Sequence, residues 1–129
     1  PVVSGYKWTA GYYRQVGARV DQIVAMTYDS LMLCPALYRS WMREQVKGIA
    51  RSLGETDTEL LIGVSVSRER TATHYPNAEG LSNGLAGMCA YLAGGERRID
   101  GVAVYAAWEA TAADWMVWDQ WLAWSARFE

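Results

Sequence analysis

Arg19-Val20-Asp21-Gln22-Ile23-Val24-Ala25-Met26 can be laid over Arg98-Ile99-Asp100-Gly101-Val102-Ala103-Val104-Tyr105. In each, a basic residue, a β-branched residue and an aspartate lead into a nearly unbroken apolar run. Runs of this length and make-up read as strands buried on both faces, the habit of parallel sheets. The two aspartates lie 79 positions apart (100 minus 21), so a unit of roughly forty residues puts another strand near position 60. That place holds Glu59-Leu60-Leu61-Ile62-Gly63-Val64-Ser65-Val66. Helical patterns fill the gaps, the signature of repeated βα units.

The first gap carries the best-marked helix. From Pro35, suited to a first helical position, the apolar residues are Leu37, Tyr38, Trp41, Met42, Val46, Ile49, Ala50 and Leu53, with Gly54 as a C-terminal cap. A second helix is expected from Asn77, acting as its cap, through Leu81, Leu85, Met88, Cys89 and Leu92 to Gly94-Gly95. Gly80, Gly84 and Gly87 weaken it and permit close helix–strand approach; they read as packing rather than phosphate-binding positions, because no GxGxxG in a strand-turn context is present. A last helix runs from about Ala112 to Trp124, with Trp115, Trp118, Trp121 and Trp124 every three residues. Each step of three falls about 60° short of a full turn, so the four indoles spread over about 180°. Such a helix is either wedged between two neighbours or shows an aromatic surface to sugar or partner. Upstream, a short helix or turn from about Thr9 to Val16 follows Pro1-Val2-Val3-Ser4-Gly5, read as the end of a further strand.

Composition restricts what such a chain does. Its 129 residues, 51% hydrophobic and 20% charged, have the make-up of one globular domain. Charges or glycines interrupt every apolar run well before about 18 residues, so no membrane partner is expected. Fourteen acidic against twelve basic side chains give a formal charge of -2, without a basic block, and no nucleic-acid partner is expected either. Cys34 and Cys89 form no CxxC or Cys/His cluster and fit a reduced compartment or one optional bridge. With His74 the one histidine, neither a zinc site nor any other metal or cofactor is expected. Pro1 is not an initiator methionine, and residues 1–5 lack both a charged n-region and an apolar h-region. No signal peptide is visible in them, and localisation stays open. Either something was removed upstream or the chain is a piece of something larger.

In parallel α/β folds ligands meet the carboxyl ends of the strands. Those ends carry Thr27, Tyr28, Asp29 and Ser30, then Ser65, Ser67, Arg68, Glu69, Arg70, His74 and Tyr75, then Tyr105, Trp108, Glu109 and Thr111. Tyrosines, carboxylates and a tryptophan around one mouth suit a sugar ring, since aromatic faces cover C–H surfaces while acids accept hydroxyl hydrogen bonds. Asp29 and Glu109 would make a glycosidase pair if the fold set them about 5 to 9 Å apart. The competing reading is that strand-end polar groups only cap the next helix. No GxSxG elbow or P-loop occurs, and His74, in Thr73-His74-Tyr75-Pro76, reads as a loop hydrogen-bonder.

Val24-Ala25-Met26-Thr27-Tyr28-Asp29 resembles the Met-x-Tyr-Asp signature on the sixth barrel strand of family 18 glycoside hydrolases, the chitinase-like proteins. Ile62-Gly63-Val64-Ser65-Val66 and Gly101-Val102-Ala103-Val104-Tyr105 are similar to that family's seventh and eighth strands, and the likeness spans roughly Asp21 to Leu122. The resemblance implies that Met26, Tyr28 and Asp29 reach the subsite of an N-acetylated sugar. Tyr28 would face the acetamido group and Asp29 would position the substrate. It further implies that Tyr105, with Trp108 as a substitute, forms the aromatic floor. The family's acidic fourth-strand motif, Asp-x-x-Asp-x-Asp-x-Glu, is nowhere in these residues. The resemblance therefore assigns the chain no catalytic residue, only the substrate-binding Met26, Tyr28, Asp29, Tyr105 and Trp108, to which the strand-end reading adds Glu109.

The expected fold is thus α/β: a partial (βα) barrel of three to four parallel strands with outer helices, half a TIM barrel formed by residues 1–129 as a single domain; the other architecture open to such strands is a small open α/β sheet, with the family likeness accidental. The expected partners are a carbohydrate and either further copies of the chain or a missing N-terminal half, because a half-barrel leaves two sheet edges unpaired. The alternative is a non-catalytic carbohydrate-binding or self-assembling module built on the tryptophan-rich helix.

Overall fold

A computed structural model describes residues 8–94 and 99–128. The further strand expected in Pro1–Gly5 lies outside the described residues, as does Arg98. The chain runs α1 (Ala10–Gly17), β1 (Gln22–Met26), α2 (Pro35–Leu53), β2 (Glu59–Ser65), α3 (Pro76–Glu79), α4 (Leu81–Ala93), β3 (Gly101–Tyr105) and α5 (Ala112–Ser125), with a one-turn 3-10 helix at Ala107–Glu109. The helix starts have identifiable causes. Thr9 Oγ1 accepts the Tyr12 N–H at 3.2 Å and opens α1. Pro35 takes the first helical position of α2, which Gly54 ends at φ 56°. Thr111 and Asp114 form a reciprocal capping box at the start of α5.

The three strands form one parallel sheet in the order β1-β2-β3, with Ala25 beside Ile62 and Ile62 beside Val102. The aspartate of the sequence repeat has a structural task here. Asp100 Oδ2 accepts the Leu60 N–H at 2.7 Å, fixing the start of β2 against β3.

Alternation along the strands divides the sheet into two unlike faces. Ile23 and Ala25 of β1 join Leu60, Ile62 and Val64 of β2 in one core. That core is closed by Met42, Val46, Ile49 and Leu53 of α2 and by Leu81, Leu85, Met88 and Leu92 of α4. Val102 and Val104 of β3 pack at its margin. The opposite face carries Val24, Met26, Leu61, Gly63, Gly101, Ala103 and Tyr105, and on it Met26 is 72% exposed. Burial on both faces, expected for all three strands, is therefore met on the central strand alone. On β1 exposed and buried residues alternate, and on β3 none is buried. These are the edge strands, and the core helices pack against one face of the sheet.

Two expectations about helices need correction. The helix expected from Asn77 is two helices, because the chain turns extended at Gly80 (ψ 167°); Asn77 lies inside α3 and caps nothing. The break turns Glu79 inward, with consequences described below. Of the three glycines expected to bring helix and strand close, Gly84 does so against β2, Gly87 instead admits the helix α2, and Gly80 lies at the break. A Cβ on Gly87 would lie 2.7 Å from Met42 Cβ and 2.9 Å from Arg39 O, and one on Gly84 3.1 Å from Val64 Cγ1. The tryptophan helix α5 packs chiefly on α4, with Val117, Trp118, Trp121 and Trp124 half-buried against the core. None of its residues is fully buried, so it is not wedged between two described neighbours. Among the described residues no helix is long and apolar enough to cross a membrane.

Candidate functional site at the carboxyl ends of the strands

Parallel pairing brings the three strand ends to one rim. Tyr28, two residues past β1, folds back over Gly63 of β2, where an added Cβ would lie 3.5 Å from Tyr28 Cε1 and 3.2 Å from Ala25 O. The tight neighbours of a side chain at 63 are thus backbone atoms of β1, and the ring itself stands at ordinary contact distance. Tyr28 then stacks on Tyr105, with ring centroids 5.2 Å apart and planes 12° from parallel. Trp108 meets Tyr105 edge-on at 5.8 Å and is 79% exposed. Tyr105 is also exposed, and Met26 lies on the same open face beside Gly63. Burial, followed by the neighbouring Tyr105 and Asp29, raises the phenol of Tyr28 above its ordinary value. Four of the six expected site residues, Met26, Tyr28, Tyr105 and Trp108, thus share one side of the rim.

The two acids belong to different neighbourhoods. Asp29, exposed at a left-handed φ of 58° that aspartate tolerates better than most residues, directs Oδ1 to within 3.2 Å of His74 Nδ1. Glu109, in the 3-10 turn after β3, accepts the backbone N–H of Arg68 at 3.3 Å. The Arg68 guanidinium reaches on to Asp114 at 3.0 Å. Burial tends to raise the Asp114 carboxyl, but the Thr111 hydrogen bonds and Arg68 outweigh it and hold the group below its ordinary value. Glu109 therefore ties the third strand-end loop to the second. That is the structural role weighed against the functional one for strand-end polar groups.

The same holds for Thr27 and Ser65. Thr27 Oγ1 donates to Gly63 O at 2.7 Å, and the buried Tyr38 hydroxyl donates to Thr27 O at 2.8 Å. Burial, then the charges of Glu79 and Asp29, push the Tyr38 phenol far up. Ser65 Oγ accepts the Ser67 N–H at 3.1 Å.

His74 and Glu79 are not among the expected site residues, yet they are the buried base and the buried acid of the rim. Glu79 is 0% and His74 3% exposed. Glu79 Oε1 accepts the Ser30 N–H at 2.6 Å and the Ser30 hydroxyl, and Oε2 accepts the Tyr75 N–H at 3.2 Å. His74 places Nε2 3.2 Å from Ser67 O, and Nδ1 2.7 Å from Glu79 Oε2. A Leu31 N–H to Thr73 O hydrogen bond of 3.2 Å joins the same two loops. The buried carboxylate is the hub that fixes the loop after β1 to the loop after β2, and so sets the place of Tyr28 and Asp29. One signal for it was present: Glu79 is the sole acidic or basic residue, histidine aside, between Arg70 and Glu96. A lone acid in so apolar a stretch is seldom buried without partners.

At the other end of the sheet an open hollow of about 920 Å³ is lined by residues including Arg19, Asp21, Gln22, Asp57 and Glu59. No aromatic ring lines it. The strand-end rim, with its apolar faces and converging polar groups, is the better ligand surface. Comparison with protein-family models, with curated proteins and with solved structures finds no match for this chain.

Proposed function

We propose that the chain is part of a (βα) barrel of the family 18 glycoside hydrolase type, and that its strand-end rim forms one wall of a carbohydrate-binding site. The observation that carries this reading is the aromatic shelf of Tyr28, Tyr105 and Trp108 beside the exposed carboxylate of Asp29. Exposed aromatic faces suit the C–H surface of a pyranose, and a carboxylate at the shelf's edge accepts hydrogen bonds from its hydroxyls. Consecutive strand order with core helices on one face supports the barrel part of the proposal, since closure would turn the other face inward. The role assigned is binding, because the acidic fourth-strand motif of that family is not in these residues.

Two features support association with further copies or with an N-terminal half. In the described sheet β1 and β3 are both edge strands, and the face bearing Val24 and Met26 is exposed. A second reading, self-assembly through α5, is favoured by its outward Met116 and Leu122.

The test is calorimetric titration of the 129-residue chain with chito-oligosaccharides in buffer containing EDTA. Removal of one hydroxyl in Tyr28→Phe costs about 0.5–1.5 kcal/mol, which weakens binding roughly two- to tenfold. Trp108→Ala should weaken it further by removing a stacking face. No heat at millimolar sugar, or affinity indifferent to both changes, defeats the binding proposal. Loss of self-association in Trp118→Ala with sugar affinity unchanged would favour the second reading.

A further inference from the structure

His74, Glu79 and Asp29 converge from three segments: the loop before α3, the end of α3, and the loop after β1. One ring nitrogen and one oxygen from each carboxylate lie within 4.8 Å of one another. The histidine is more than nine-tenths buried and points Nδ1 into this group. Two carboxylate oxygens lie 2.7 and 3.2 Å from Nδ1, yet neither is aligned with a proton on it, and Nδ1 makes no hydrogen bond. An N–H donor would be poorly satisfied there, whereas a lone pair facing two carboxylates repels them unless a cation lies between.

The surroundings match the outer shell of a metal centre. Nε2 faces the Ser67 carbonyl at 3.2 Å, an acceptor that keeps the proton on Nε2 and frees the Nδ1 lone pair. Metal-bound histidines almost always donate their other N–H in this way, and ligating carboxylates are themselves hydrogen-bonded. Glu79 meets the second condition through Ser30 and Tyr75. Two of the three groups are buried, while Asp29 is exposed and leaves the cluster open to solvent on its side.

We propose that His74 Nδ1, Glu79 Oε2 and Asp29 Oδ1 form a binding site for a divalent transition metal of the manganese-to-zinc series. The imidazole nitrogen selects against calcium and magnesium, which take oxygen ligands. The site revises the expectation drawn from a single histidine, since two acids supply the other ligands. It goes beyond the carbohydrate proposal and stands without it.

The experiment is titration of the chain with Co²⁺, without sugar, in a Cys34→Ser background that removes the exposed thiol, followed by visible absorption. The expected result is one equivalent of Co²⁺ giving d–d bands that Zn²⁺ bleaches and excess Ca²⁺ leaves alone. Asp29→Asn should weaken binding about tenfold or more, and His74→Gln should abolish the bands. Because Asp29 is exposed, that variant decides the matter even if His74→Gln folds poorly by circular dichroism. No bands at excess Co²⁺, bands absent in the Cys34→Ser background, or an unchanged midpoint in Asp29→Asn overturns the proposal. Since the sugar titration is run in EDTA and this one without sugar, failure of either reading leaves the other standing.

Discussion

The contact between α2 and α4 that frames the core can be tested with two glycines of equal helical cost. Gly48 lies in α2 and Gly87 in α4, so replacement by alanine should gain about 1 kcal/mol of helix propensity at either site. Their surroundings differ. A Cβ on Gly48 meets nothing within 4 Å, whereas one on Gly87 would lie 2.7 and 2.8 Å from Met42 Cβ and Cγ and 2.9 Å from Arg39 O. The methionine can give by rotation, but the carbonyl belongs to the α2 backbone. The helices must then part by roughly half an ångström, and a gap of that order forfeits a quarter or more of the dispersion energy of the atoms lining it. Overpacking of this kind costs about 3 kcal/mol at the upper end, leaving Gly87→Ala about 2 kcal/mol less stable than the parent. Gly48→Ala should be about 1 kcal/mol more stable. Urea unfolding followed by circular dichroism should separate the variants by about 3 kcal/mol at unchanged slope, with melting points about 10 °C apart. If both variants are stabilised alike, α2 and α4 do not cross at Gly87, and the core described above is wrong.

Two further outcomes follow from the rim and its surroundings. Glu79→Ala leaves the Ser30 and Tyr75 N–H groups and the Ser30 hydroxyl without their acceptor, and should cost about 3–5 kcal/mol, against less than about 1 kcal/mol for Asp29→Asn at the exposed neighbour. Equal losses in thermal unfolding would refute the hub role of Glu79. At the start of α2 the backbone N–H groups of Leu37 and Ala36, with Arg39 beyond them, hold the exposed Cys34 thiol below its ordinary value, while burial raises Cys89. Brief iodoacetamide treatment near neutral pH should therefore label Cys34 first, read by peptide mass spectrometry; preferential labelling of Cys89 would contradict that environment.

Much of the architecture was legible in the residues, because local signals and global fold agree there. The three strands, the span of α2 from Pro35 to Gly54, and the start of α5 at Thr111–Ala112 each rest on patterns or caps acting within a few residues. The break at Gly80 was not legible. Glycine is compatible with a continuous helix, and the break at ψ 167° accompanies long-range hydrogen bonds of Glu79 to groups 49 and four positions away, which no local pattern announces. The exposed face of the sheet was missed for a related reason: an apolar run reports that a strand is buried somewhere, not how many layers cover it.

The candidate site divides along the same line. Its membership at the rim, Met26, Tyr28, Asp29, Tyr105, Trp108 and Glu109, is a consequence of strand direction, which hydrophobic periodicity reveals. Chain order alone determined that these residues sit at one end of a parallel α/β sheet. Only folding decided that Tyr28 lies flat on Tyr105, that Glu109 is occupied by Arg68, and that Asp29 faces His74 and Glu79. These pairings join residues dozens of positions apart, where no local propensity acts. They are set by the parallel sheet, which brings loops from separate strands to one rim, and, at His74 and Glu79, by buried polar groups finding partners once water is gone.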